Sequence, residues 1–165
     1  MKPDEVMMLY EFAWWTRDRL LGAAAGMSDE EFGRDNGFTY QSIRGILVHA
    51  LEAEMIWGSR FRGEERPELP GDSITSVDAL QARWAAEERK LRGFIEGLTE
   101  ETLGVEFTTR RRTGEELKTP LWVLLTHVVT HGMQHRSEAA EALTLVGRSP
   151  GSIDLTTYVW ERTRP

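Results

Sequence analysis

A chain of 165 residues with 40% apolar and 9% aromatic content can fill one sizeable core, which predicts a single domain over residues 1–165. Twenty Lys and Arg against 27 Asp and Glu give a net charge of -7, which repels a phosphate backbone and excludes nucleic acid as an expected partner. The absence of cysteine excludes disulfides, thiolate ligands and a cysteine nucleophile. Any metal must therefore use imidazole, carboxylate or carbonyl, with Zn, Ni, Co or Fe favoured over Ca or Mg.

The first predicted element is a helix over residues 4–25, in which Val6, Leu9, Tyr10, Ala13, Trp14, Arg17, Leu20 and Leu21 recur at helical spacing. Pro3 suits its first turn and Gly26 stops it. Met1-Lys2-Pro3-Asp4-Glu5 carries acidic residues instead of a charged-then-apolar leader. No apolar run approaches the roughly 18 residues of a membrane span, so a cytoplasmic protein without membrane association is expected. Ser28-Asp29-Glu30-Glu31 caps a short helical turn, and Asn36-Gly37 marks a turn.

A second long helix is predicted over 41–60, with Ile43, Ile46, Leu47, Ala50, Leu51, Glu54, Ile56 and Trp57 on its buried side and His49 within it. The Pro-, Gly- and charge-rich stretch from Gly63 to Gly71 reads as an exposed loop. Thr75-Ser76-Val77-Asp78 reads as a capping box for a third helix that ends near Gly97. Val105, Phe107 and Thr109 alternate with Glu106 and Thr108, and the chain resumes at Leu117 after Gly114, which predicts a small β-hairpin. The Arg110-Arg111-Arg112 cluster between them reads as its solvated tip.

Thr119-Pro120 is expected as cap and first residue of the last long helix, which runs to Gly147. Ile153, Leu155, Tyr158, Val159 and Trp160 then form a short closing helix. The fold class is all-α: a four-helix bundle with a small β-hairpin before the last long helix and a short C-terminal helix. Such bundles project ligands from facing helices into their centre or end.

Three of the four histidines, His127, His131 and His135, lie four apart on that last long helix. Each four-residue step drifts by about 40°, so His127 and His135 differ by about 80° and cannot comfortably point at one ion. His131 with His135 is the better pair, and Glu138 lies near them as an additional ligand or a supporting partner. The pair has the spacing of His-Glu-x-x-His enzymes, but Gly132 stands where their glutamate would be, which excludes a zincin peptidase. Spacing alone leaves the pair open between metal and structural roles, and His49 taken alone reads as a hydrogen-bonded core residue. Glu52, Glu54 and Glu138 are the candidate bases, although Glu52 and Glu54 also read as solvated helix face. Arg136 is a candidate for steering an anionic substrate, or a surface ion pair. Trp14, Trp57 and Trp122 are expected in the core.

Leu47-Val48-His49-Ala50-Leu51-Glu52-Ala53-Glu54, followed by Leu124-Leu125-Thr126-His127-Val128-Val129-Thr130-His131 and His135-Arg136, resembles the DinB family of four-helix-bundle proteins, related to the YfiT-like thiol transferases. The resemblance spans essentially the whole chain, including Leu9-Tyr10-Glu11-Phe12-Ala13-Trp14 and Thr119-Pro120-Leu121-Trp122. It implies a divalent metal, Zn or Ni, held by His49, His131 and His135, with His127 as a non-ligand. The family's late motif reads Asn-His-x-x-His-His-Arg-Gly-Gln. Here Thr130, Gln134, Ser137 and Glu138 replace its asparagine, middle histidine, glycine and glutamine.

The resemblance further implies a small-molecule substrate, a homodimer and a low-molecular-weight thiol such as bacillithiol, mycothiol or glutathione as co-substrate. The leading expectation is a metal-dependent thiol S-transferase-like enzyme. A metal-dependent hydrolase and a non-catalytic, stress-related metal-binding or interaction protein are the alternatives.

Overall fold

The computed structural model describes residues 1–110 and 113–164, so Arg111 and Arg112 of the arginine cluster lie outside the described residues. Helix α1, Pro3–Ala24, begins with proline in its first turn, and the Lys2 N–H donates to Glu5 Oε2 at 2.8 Å. Helix α2, Asp29–Gly33, forms the expected box: Glu31 N–H donates to Ser28 Oγ at 3.2 Å, and Ser28 N–H to Glu31 Oε2 at 2.9 Å.

Helix α3, Ile43–Phe61, starts two residues later than the hydrophobic pattern predicts. Gln41 is in the left-handed region at φ 65°, so it cannot be the first helical residue; Ser42 caps instead, accepting the Gly45 N–H at 3.0 Å. The exposed loop after α3 contains one 3₁₀ turn, Gly71–Ser73. Helix α4, Val77–Glu96, is capped by Ser76, which accepts the Ala79 N–H at 3.2 Å. The expected box centred on Thr75 is thus corrected to a single serine cap, because position N3 is alanine.

Helix α5, Glu100–Gly104, is an element the hydrophobic pattern does not signal; Thr99 caps it through the Thr102 N–H at 3.1 Å. Strands β1, Glu106–Arg110, and β2, Glu116–Pro120, pair antiparallel, with Phe107 opposite Thr119. Helix α6, Leu121–Leu145, follows directly. Thr119 and Pro120 belong to β2, and Pro120 occupies the cap position without a side-chain bond, which corrects the expected threonine cap. The hairpin therefore sets where α6 begins, and Leu121 N–H donates to Val105 O at 3.0 Å. Helix α7, Leu155–Thr163, lays Tyr158 against Phe12 and Trp15 of α1 at ring distances of 5.7 and 5.6 Å.

Helix α1 packs on α4 and α6, and α3 packs on the same two, which closes the four long helices into a bundle. One apolar cluster gathers Leu20, Phe32, Ile46, Leu47, Leu51, Leu80, Trp84 and Leu143; a second gathers Val6, Tyr10, Trp14, Leu91, Leu103, Leu125 and Val128. Trp14 is core as expected, but Trp57 is half-buried and Trp122 is exposed, because each has one side facing outward from the bundle. No helix among the described residues is long and apolar enough to cross a membrane.

Candidate metal centre

His49 comes from α3, and His131 and His135 come from adjacent turns of α6. The contact between these two helices brings one ring nitrogen from each histidine within 4.8 Å of the others. Nε2 of His131 and Nε2 of His135 are 3.3 Å apart. Donors on adjacent corners of a tetrahedral site with bonds of about 2.0–2.1 Å lie about 3.3 Å apart, so this edge already fits a small divalent ion. Three imidazoles are donors that suit a borderline divalent transition metal.

Glu138 decides which nitrogen of His135 is free. Its Oε2 lies 2.9 Å from Nδ1, and a carboxylate only accepts, so Nδ1 carries the proton and Nε2 keeps its lone pair toward His131. Of its two expected roles, this contact is the supporting one. Burial, then the neighbouring His135, lowers the pKa of His49. Burial also lowers that of His131 to about 4, reinforced by the nearby His135, His127 and His49 rings. Both are neutral at pH 7, the state in which imidazole ligates.

His127 is exposed, with its ring 5.7 Å from that of His131 and 5.4 Å from Trp57, outside the triad as the helical angle predicts. Glu52 is half-buried, accepts the Gly71 N–H at 3.0 Å, and lines a cleft of about 280 Å³ with His49, Tyr40 and Arg44. It remains the carboxylate beside the open flank of His49.

Arg136 and Glu54 do not occupy the expected surface. Arg136 is fully buried and Glu54 is 3% exposed. Arg136 Nη2 donates to Glu54 Oε1, while Trp84 Nε1 donates to Glu54 Oε2 at 2.8 Å. The hydrophobic spacing aimed Glu54 at the core but gave no such sign for Arg136, and the opposite charges make their burial tolerable only as a pair. Both Glu54 oxygens are engaged, so it serves neither as solvated face nor as base, and Arg136 cannot reach a substrate from there. The pair instead joins α3, α4 and α6 directly behind His135.

Tyr40 is the residue that sequence reasoning missed. Its ring stacks on His49 at 4.1 Å and 16°, meets His135 edge-on at 5.2 Å, and brings its Oη 2.9 Å from His49 Nε2. Burial, then the Glu138 charge, raises its pKa, which keeps the phenol protonated. It lies in the turn before Gln41, where no periodicity marks a residue as inward-facing; the one available signal was an aromatic side chain just ahead of the Ser42 cap.

The sequence profile of the DinB family matches residues 2–164. The chain belongs to the DinB family. It is also 22% identical over 167 residues to a protein named Protein DinB from Bacillus subtilis (strain 168), a match covering 95% of each chain. In this DinB-family chain the histidine cluster joins α3 to α6, and Glu138, which replaces the motif's glutamine, supplies the carboxylate on His135 Nδ1.

Proposed function

We propose that this DinB-family protein is a divalent-metal-dependent enzyme of the thiol S-transferase type, with Zn or Ni held by His49, His131 and His135. The observation that carries this reading is the convergence of three imidazole nitrogens within 4.8 Å, with no carboxylate in the group. An ion held by neutral ligands keeps its full charge and an open position, which is the chemistry that stabilises a thiolate at neutral pH.

The chain's own residues supply the rest. Glu138 holds the His135 tautomer, and Tyr40 covers one face of the His49 ring. Glu52, which lines the cleft with His49, is the base to which this reading assigns the thiol proton. Because the chain has no cysteine, the sulfur comes from a low-molecular-weight co-substrate. Its sulfur forms a bond to an electrophilic carbon, the leaving group departs with its electron pair, and the thiol proton passes to the base. Glu52 beside His49 also favours a second reading, a metal-dependent hydrolase in which water takes the place of the thiol. The proposal includes a cytoplasmic homodimer.

Zinc-loaded protein incubated with 1-chloro-2,4-dinitrobenzene and, in turn, bacillithiol, mycothiol and glutathione tests the reading. Thiol-dependent conjugate formation that disappears in His131→Ala is expected. Turnover of an ester panel without any thiol would favour the hydrolase. Full metal binding with no turnover in either assay would leave a non-catalytic metal-binding protein.

A further inference from the structure

A second cleft, of about 410 Å³, lies one turn of α6 away from the triad, between α3, α6 and the hairpin. Trp57, Leu117 and Leu124 provide apolar wall, Arg60 and Arg110 provide charge, and His127 marks the end nearest His131. The Arg60 guanidinium stacks over the Trp57 ring at 4.9 Å and has no carboxylate partner among the described residues. Arg110 pairs through Nη2 with Glu116 at 2.6 Å. Among the described residues no acidic residue lines the cleft itself, Glu116 reaching it only through its pair with Arg110, although the chain as a whole carries a charge of -7.

One unpaired guanidinium, that of Arg60, over an apolar wall selects for a particular kind of molecule. An uncharged apolar compound leaves the Arg60 cation unused, and an inorganic anion leaves the indole and leucines uncovered. A carboxylate joined to an apolar body satisfies both, since the planar guanidinium matches the two carboxylate oxygens and stacking on Trp57 holds Arg60 ready. The volume falls in the range of about 300–1,000 Å³ typical of small-molecule sites. The ring of His127 is 5.7 Å from that of His131, so a ligand seated here extends to the triad within its own length.

We propose that this cleft is the subsite for a small organic carboxylate with an apolar body, held by Arg60 against Trp57. Its orientation toward His131 rests on the metal-centre reading above, whereas its capacity to bind the acid does not. The probes are 4-phenylbutyrate and its neutral amide, titrated into the full-length ¹⁵N-labelled chain. The acid shifts the Trp57 indole N–H, assigned with Trp57→Phe, and the amides of Leu124 and His127. It binds at least tenfold more tightly than the amide.

Arg60→Gln, a change at an exposed side chain, weakens acid binding about tenfold and leaves amide binding unchanged. Equal affinity for acid and amide, no effect of Arg60→Gln, no acid binding, or shifts confined to the Tyr40–Glu52 cleft would each overturn the proposal. Zinc titration of the same samples separates the two readings. Acid binding without zinc uptake supports the subsite and removes the metal centre; zinc uptake without acid binding overturns the subsite alone.

Discussion

Removing the charge of Glu54 while keeping its shape, in Glu54→Gln, leaves the fully buried Arg136 guanidinium without its counter-ion. The amide also offers one oxygen where the carboxylate offered two, so Trp84 Nε1 and Arg136 Nη2 compete for it. Breaking a buried pair in this way costs about 3–5 kcal/mol. For a chain of this size that lowers Tm by roughly 6–20 °C, at about 2–4 °C per kcal/mol. Arg136→Met costs a similar amount by stranding the carboxylate. The double variant is different. Arg136 Nε and Nη1 have no hydrogen-bond partner among the described residues, so the native pair bears much of its desolvation cost uncompensated. Removing both charges therefore restores at least about 2 kcal/mol relative to the sum of the single changes. Urea unfolding followed by far-ultraviolet circular dichroism reads all four proteins. Single changes costing under about 1 kcal/mol, or a double change that is simply additive, would refute the pinning role assigned to the pair.

Glu138→Gln weakens zinc binding about 10–100-fold without abolishing it, because the His135 Nδ1–H loses its carboxylate while the three ring nitrogens remain; competitive titration against a chromogenic chelator measures the loss. Gly45→Ala puts a Cβ well inside contact distance of the Tyr40 carbonyl oxygen, so the turn carrying Tyr40 shifts off His49. A stability loss of about 1–3 kcal/mol and a changed His49 ring resonance are expected. The depressed His131 and His49 pKa values mean that the unfolded chain binds more protons than the folded one below the unfolded value of 6.5. Stability of chelator-treated protein is thus complete above about pH 6.5 and falls on acidification toward about pH 4. A His131→Gln variant shows a shallower Tm decline over that range, and an unchanged decline contradicts the assignment.

The bundle was legible because its four long helices repeat apolar residues at helical spacing, and the hairpin because Val105 to Thr109 alternates. Angular drift along α6 separated His127 from the other two histidines without any structure. Other features depend on partners remote in sequence. Glu54 and Arg136 are 82 residues apart; Glu54 reads locally as either buried side or solvated face and Arg136 as surface until the two are seen together. Tyr40 depends on a left-handed Gln41, a conformation that glutamine does not advertise. The short α5 is stabilised by its Thr99 cap and by the buried Leu103, which is too little pattern to stand out between Gly97 and the strand.

Metal content decides the central claim most directly. Protein purified without chelators or affinity metals, dialysed against zinc and then against metal-free buffer, is analysed by inductively coupled plasma mass spectrometry beside His49→Ala, His131→Ala and His135→Ala. The account predicts close to one zinc per chain in the parent and loss of most of it in each folded variant. No zinc in the parent, or equal zinc in all four, would contradict it.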